Sequence, residues 1–449
     1  METFLKYAEK KGCNYIELKE YSGNRTSIQL ENEKIKELSK GNALMYAARV
    51  IYKNKEGLAY SNKENYKELI DNAIKLAHKN NKIITIDKLP KLKKAVKTKL
   101  KINPEDIDLE EKKKDVMKLD LRKDYKKINS LRVNYSDNNR KLKIITSEGR
   151  ELTWNDNVVG IVSVAYAKEG NRLEQFYKSK IKHQGYELFR KEATELVNNS
   201  MEMAEKMLQS KLAKGGNYPV IIDQALGGVF SHEAVGHGCE ADNVLQGSTV
   251  MNEKIGKLIA STSVNIIDDG SLADGYGWIA FDDEGVEGQK TYLIRNGFLE
   301  GYLHTRETAS LLKMKPTGNG RAESLGHRAI PRMTNTYFDN GDSNFNEMLG
   351  KIKDGYYLKG SSGGQVNPSS GEFLFNAQYG YRVENGEIKE LVKNVSLTGN
   401  ILTTLKNISL VGKDLEFSQG VCGKDGQHAP VGDGAPHIKI DKARLGGQE

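Results

Sequence analysis

Apolar and polar residues alternate with period two over Tyr15-Ile-Glu-Leu and Ser27-Ile-Gln-Leu, and Leu44 to Tyr52 reads as a further strand. Between residues 64 and 80 the period lengthens. Tyr66, Leu69, Ile70, Ala73 and Ala77 fall on one helical face there. Leu142 to Thr146 and Val158 to Ala167 are again strand-like, and Phe189, Ala193, Leu196, Val197, Ala204 and Met207 mark a long helix from about Glu187 to Leu208. The Lys-Gly-Gly-Asn at 214–217 ends it.

After that break the texture changes to glycine-rich strand and turn signals. Tyr292-Leu-Ile-Arg-Asn-Gly-Phe-Leu and Tyr381-Arg-Val-Glu-Asn-Gly-Glu-Ile are hairpin patterns, because Asn-Gly supplies the two positive-φ positions of a tight turn. Pro219 to Asp223 predicts a buried strand and Ala225 to Gly238 a helix. The expected fold class is α+β: an N-terminal mixed α/β domain over residues 1–213, and a C-terminal, predominantly antiparallel β domain over 214–449 that carries the helix.

Length agrees with two domains, since 449 residues exceed one ordinary core. The longest uncharged apolar run, Val158 to Ala167, is about half of the roughly 20 residues a membrane helix needs. The N-terminus lacks the apolar core of a secretory signal. With three cysteines, Cys13, Cys239 and Cys422, a disulfide framework is not expected, and a cytoplasmic location is. The net charge of +8 is concentrated at residues 88–127, where 15 basic residues face 8 acidic ones. The two signs are interleaved as on a solvated helix, with Tyr125 the one aromatic, so direct nucleic-acid binding is not expected.

The chemistry concentrates in Ser231-His-Glu-Ala-Val-Gly-His-Gly-Cys-Glu240. Two histidines with a glutamate after the first suggest a metallopeptidase, in which the imidazoles hold zinc and Glu233 is the general base for metal-bound water. In the usual His-Glu-x-x-His the histidines are four apart; His232 and His237 are five apart, about 140° around a regular α-helix. One metal can take both only if the helix is widened, as by a π-bulge near Gly236, or ends before His237. Without that distortion they are surface or capping histidines beside a glycine turn. For a third ligand the candidates are Cys239, Glu240, Asp242, Cys422, His428 and His437. Cys239 follows His237 too closely to reach the same metal easily. Cys422 lies in a glycine-flanked stretch expected to be a loop.

These blocks, with Asp282-Asp-Glu-Gly-Val-Glu-Gly-Gln-Lys-Thr, Thr317-Gly-Asn-Gly-Arg-Ala, Arg332-Met-Thr-Asn, Gly363-Gly-Gln-Val-Asn-Pro and Cys422-Gly-Lys-Asp-Gly-Gln, resemble the TldD/PmbA family of metallopeptidases. The likeness covers nearly the whole chain and is closer to the metal-bearing TldD branch. It implies His232, His237 and Cys422 as zinc ligands, with Cys239 a bystander. It also implies a subunit that pairs with a TldE/PmbA-type partner, or with itself, around a cavity admitting small or unfolded peptides. The family's older description as modulators of DNA gyrase finds no DNA-binding pattern here. His304-Thr-Arg departs from the family pattern, as does the lysine-rich segment.

The implied activity is hydrolysis of peptide bonds; the alternative is a non-catalytic peptide-binding or assembly subunit. Asp282, Asp283 and Glu284 could line a site or end a strand, with the structural role favoured. Arg321 and Arg332 could bind a peptide backbone or carboxylate. The strands around residues 363–375 could take an extended peptide as an added strand.

Overall fold

The structure, a computed structural model, describes residues 1–447. Strand accounts for 45% of the chain and helix for 22%, a mixed α+β arrangement. Four strands of 19 or 20 residues (Cys13–Glu31, Lys34–Tyr52, Ile128–Thr146 and Arg150–Glu169) form the centre of a seven-stranded sheet. Each is about 65 Å long at 3.4 Å per residue.

The short strands expected at Tyr15 and Ser27 are two buried ends of one strand. Ile16 and Leu18 pack in a cluster with Tyr66, Leu69, Ile70 and Ala73 of the helix Tyr66–Lys79, whereas Ile28 and Leu30 pack in another with the helix Glu187–Met207. The polar middle separates the two cores. The helix Tyr66–Lys79 is capped by Asn65, whose side chain accepts the Glu68 amide at 3.2 Å. Within the lysine-rich segment, Leu92–Lys97 adds a parallel strand beside Arg150–Asn155, and Lys112 is buried against Asp137 at 2.7 Å.

At Lys211–Leu212 the chain enters a ten-stranded sheet, mostly antiparallel, whose path begins with Gly364–Asn367 at one edge. A six-stranded sheet ends with the hairpin Glu416–Lys424 and Gln427–Ala435, the first of these at its edge. Both Asn-Gly hairpins form: Asn296 and Gly297, like Asn385 and Gly386, have positive φ between paired strands. The helix Gln224–Phe230 belongs to the core between these sheets, where Phe230 meets Phe338, Phe373 and Phe375 at centroid distances of 5.4 to 5.8 Å. Among the described residues no helix is long and apolar enough to cross a membrane.

Buried charges join the first sheet to the later chain. Glu17 lies 2.9 Å from Lys19; Arg49 lies 2.5 Å from Glu56 and 3.0 Å from Glu284, and Arg328 reaches Glu56 at 2.9 Å. Asp282 and Glu284 belong to this framework: Asp282 accepts the Gly320 amide and Glu284 the Arg306 amide. Burial opposes ionisation of Glu17 and Glu56, but the adjacent Lys19 and Arg49 prevail and hold both below the ordinary value of 4.5.

A carboxylate depressed on folding stabilises the native state above its unfolded pKa and loses that contribution as pH falls through its folded pKa. Glu56→Gln should therefore be destabilised by about 3–5 kcal/mol near neutrality, because Arg49 loses a buried partner. Its urea midpoint should also fall less steeply than wild type below about pH 4.5. Equal acid slopes in urea titrations of the two proteins would remove Glu56 from this role.

Candidate metal centre

Asp223 caps the helix Gln224–Phe230 by accepting the Leu226 amide at 3.0 Å, and its second oxygen accepts the Gly360 amide at 2.9 Å. Gly227 and Gly228 let the helix lie directly on the strand Gln427–Ala435. A Cβ on Gly227 would stand 2.6 Å from Ala435 Cβ, and one on Gly228 would stand 2.9 Å from the Asp433 backbone. This contact brings His232 Nδ1 to 2.9 Å from Asp433 Oδ1, although the two are not aligned as a hydrogen bond.

Ser231–Gly236 is wound as a π-helix, followed by a 3₁₀ turn at His237–Cys239. An i→i+5 turn returns residues five apart to one face, so the imidazoles of His232 and His237 meet with centroids 5.2 Å apart. Gly236 has ordinary helical dihedrals (φ −54°, ψ −59°), so its conformational freedom is not what the turn uses. Its missing side chain is: a Cβ there would lie 2.0 Å from Met333 Sδ.

Cys422 lies on the edge strand Glu416–Lys424, paired with Ala429, and not in the expected loop; the tight turn comes later, with positive φ at Asp425 and Gly426. The strand is what fixes the direction of its thiol. Sγ is 3.4 Å from His237 Nε2, and donor atoms of His232, His237 and Cys422 all lie within 4.8 Å of one another. Around them, His237 Nδ1 is 3.0 Å from Glu240 Oε2, Lys424 Nζ is 3.1 Å from Glu240 and 2.8 Å from Asp242, and Arg332 donates to the Cys422 carbonyl at 2.6 Å. With each Nδ1 turned to a carboxylate, the Nε2 atoms are left for a ligand.

The electrostatics fit a cation. Burial disfavours a thiolate, yet His232 and His237 bring the Cys422 pKa down to about 5. Burial also disfavours imidazolium, but Glu240 and Cys422 raise His237 to about 10, and Asp433 and Cys422 hold His232 well above its usual value. Behind the imidazoles, the carboxylates of Glu240 and Asp433 supply negative charge to the cluster. Two imidazoles and a thiolate are a donor set for tetrahedral zinc with one position open.

Glu233, next to His232, is 3.9 Å from His237 Nε2 and has its pKa raised, mainly by burial. Clefts of about 480 and 550 Å³ both reach it, and both are bordered by residues of the edge strands Gly364–Asn367 and Glu416–Lys424. The remaining candidates lie elsewhere. Cys239 is buried with a raised pKa, His428 is exposed beside Glu323, and His437 is held by Asp414 at 2.6 Å and Tyr357 at 2.8 Å. Asp433, Lys424 and Arg332 were not among the expected centre residues. The glycines on both sides of Asp433 signalled a close backbone approach.

Three family models match in sequence: the PmbA/TldA metallopeptidase domain 1 at residues 17–77, the central domain at 102–208 and the C-terminal domain at 215–447. The chain belongs to the TldD/PmbA family of metallopeptidases. Within this TldD/PmbA family, a metalloprotease of Methanocaldococcus jannaschii is 40% identical over 95% of this chain and 96% of its own. The zinc metalloprotease TldD homolog of Saccharolobus solfataricus is 32% identical, with 100% of both chains covered. Two solved structures share the TldD/PmbA fold. One, a Thermotoga maritima protein described as a modulator of a DNA gyrase, has a TM-score of 0.83 and 22% identity, with 99% of each chain covered. The other, TldE from Thermococcus kodakarensis, has a TM-score of 0.80 and 21% identity, also with 99% of each covered.

Proposed function

We propose that this chain is a zinc-dependent peptidase that hydrolyses small or unfolded peptides, with His232, His237 and Cys422 as ligands and Glu233 as general base. The observation that carries this reading is the convergence of two imidazoles and a depressed thiol beside Glu233, at the meeting of two open clefts. Zinc held there supplies a Lewis acid that lowers the pKa of water to about 7. Glu233 accepts a proton from the attacking water and delivers it to the leaving amine, a role its raised pKa favours. Asp433 and Glu240 orient the two imidazoles, and Arg332 holds the Cys422 backbone.

The free edges Gly364–Asn367 and Glu416–Lys424 offer backbone donors and acceptors to an extended peptide, a sequence-tolerant mode that selects unfolded segments. Closure of these clefts would fall to a TldE/PmbA-type subunit or a second copy of this chain. A reducing cytoplasm keeps Cys422 available as a thiol, in line with three free cysteines. Chelation of the purified protein should abolish cleavage of an unstructured peptide, and stoichiometric zinc should restore it. Zinc bound without cleavage, alone and with a TldE-type subunit, would favour the non-catalytic peptide-binding subunit.

A further inference from the structure

A separate cavity, of about 300 Å³, opens behind the metal centre, between the long-stranded sheet and the later chain. The strand Gln427–Ala435 separates the two: Asp433 and Val431 border the metal-side cleft, whereas His428 and Pro430 border this cavity. Both tryptophans of the protein, Trp154 and Trp278, line it, edge to face at 5.4 Å, with Phe281 6.2 Å from Trp154.

The charged side chains in its wall differ in how they are satisfied. Arg140 is neutralised by Asp156 at 2.6 Å and lies over the Trp154 ring. Asp282 is occupied by the amides of Glu284, Val286 and Gly320. Arg321 is different. It is 7% exposed and donates one hydrogen bond, from Nη1 to the Met333 carbonyl at 2.6 Å. Among the described residues no carboxylate lies within 4.0 Å of it. Asp283, the acid acting most strongly on it, spends one oxygen on the Ala322 amide. Burial pulls the guanidinium down to about 10, which leaves it charged at neutral pH.

A buried cation with no carboxylate in direct contact, beside a wall of aromatic rings, is complementary to an anion on an aromatic body. We propose that this cavity binds a small aromatic carboxylate, its carboxylate on Arg321 and its ring against Trp154, Trp278 and Phe281. A phosphate dianion fits less well, since Asp282, Asp283 and Glu323 also border the space. Asp283 and Glu323 also suit the ammonium group of a free aromatic amino acid, whereas the C-terminal aromatic residue of a peptide brings the same ring and carboxylate without it. The cavity volume is near the lower end of small-ligand sites, about 300–1,000 Å³, and matches a single residue.

All tryptophan emission of the protein arises at this cavity, which gives a direct readout. The full chain would be titrated with phenylalanine, N-acetylphenylalanine and phenylalaninamide, following both emission and heat. Saturable emission changes are expected with one or both carboxylates and not with the amide. Preference for phenylalanine identifies the free amino acid, and preference for the acetylated form identifies a chain end. Arg321→Gln should weaken binding by about tenfold or more. Ala43→Phe, a change at an exposed rim residue that leaves the core untouched, should do the same if the first variant folds poorly. The proposal is overturned by no saturable signal up to about 10 mM, by equal response to the amide, or by heat of binding that Ala43→Phe leaves unchanged.

Discussion

Glutamine in place of Glu233 should leave bound zinc in place and lower peptide hydrolysis by about 10²- to 10⁴-fold, the usual contribution of a positioned general base. The substitution keeps the shape of the side chain and removes its ability to accept a proton. Glu233 lies 3.9 Å from His237 Nε2 and outside the group of three converging donors, so metal occupancy should not depend on it. Glu233 also borders both clefts, together with Gly364 and Val421 of the two edge strands. The measurement is zinc content together with kcat on an unstructured peptide. Equal turnover in the two proteins removes Glu233 from the chemistry, and loss of zinc makes it a ligand instead.

Cys422→Ser should lower zinc affinity by at least about 100-fold, more than the 10- to 100-fold typical for a residue that only orients a ligand. The thiol is brought to a pKa of about 5 by two adjacent imidazoles, so a thiolate is present at neutral pH; a serine hydroxyl at the same place stays protonated and binds zinc weakly. Cys239→Ser is the control. That thiol is fully buried and its pKa is raised, so zinc content should not change. Competition with a chelator of known affinity reads both variants. Retained affinity in Cys422→Ser with loss in Cys239→Ser would reverse the ligand assignment.

Local patterns in the sequence were enough to place the helices Tyr66–Lys79 and Glu187–Met207 and the two Asn-Gly hairpins, since each depends on neighbours within a few turns. The need for a widened turn between His232 and His237 was legible for the same reason. Alternation over Tyr15 to Leu18 says nothing of what covers the charged face on which Glu17 and Lys19 stand. They are 0% and 7% exposed because the later chain covers that face, a contact between segments more than 250 positions apart. Residue spacing left the third ligand open among six side chains, and the likeness to a known family pointed to Cys422. Asp433 stayed hidden, and Arg332 was read as a peptide contact and not as a support of the centre, because their partners, His232 and the Cys422 carbonyl, come from distant parts of the chain.

The proposed metal donors come from a helix and from a hairpin 185 positions further on, as measured between His237 and Cys422. An ion held by both would act as a cross-link, closing a ring of more than a third of the polypeptide. The unfolded chain gains no such tether unless it also binds the ion, so occupancy would stabilise the native state through the entropy of the open ring as well as through mass action. The same ion would then serve both reactivity and the mechanical hold between helix and hairpin.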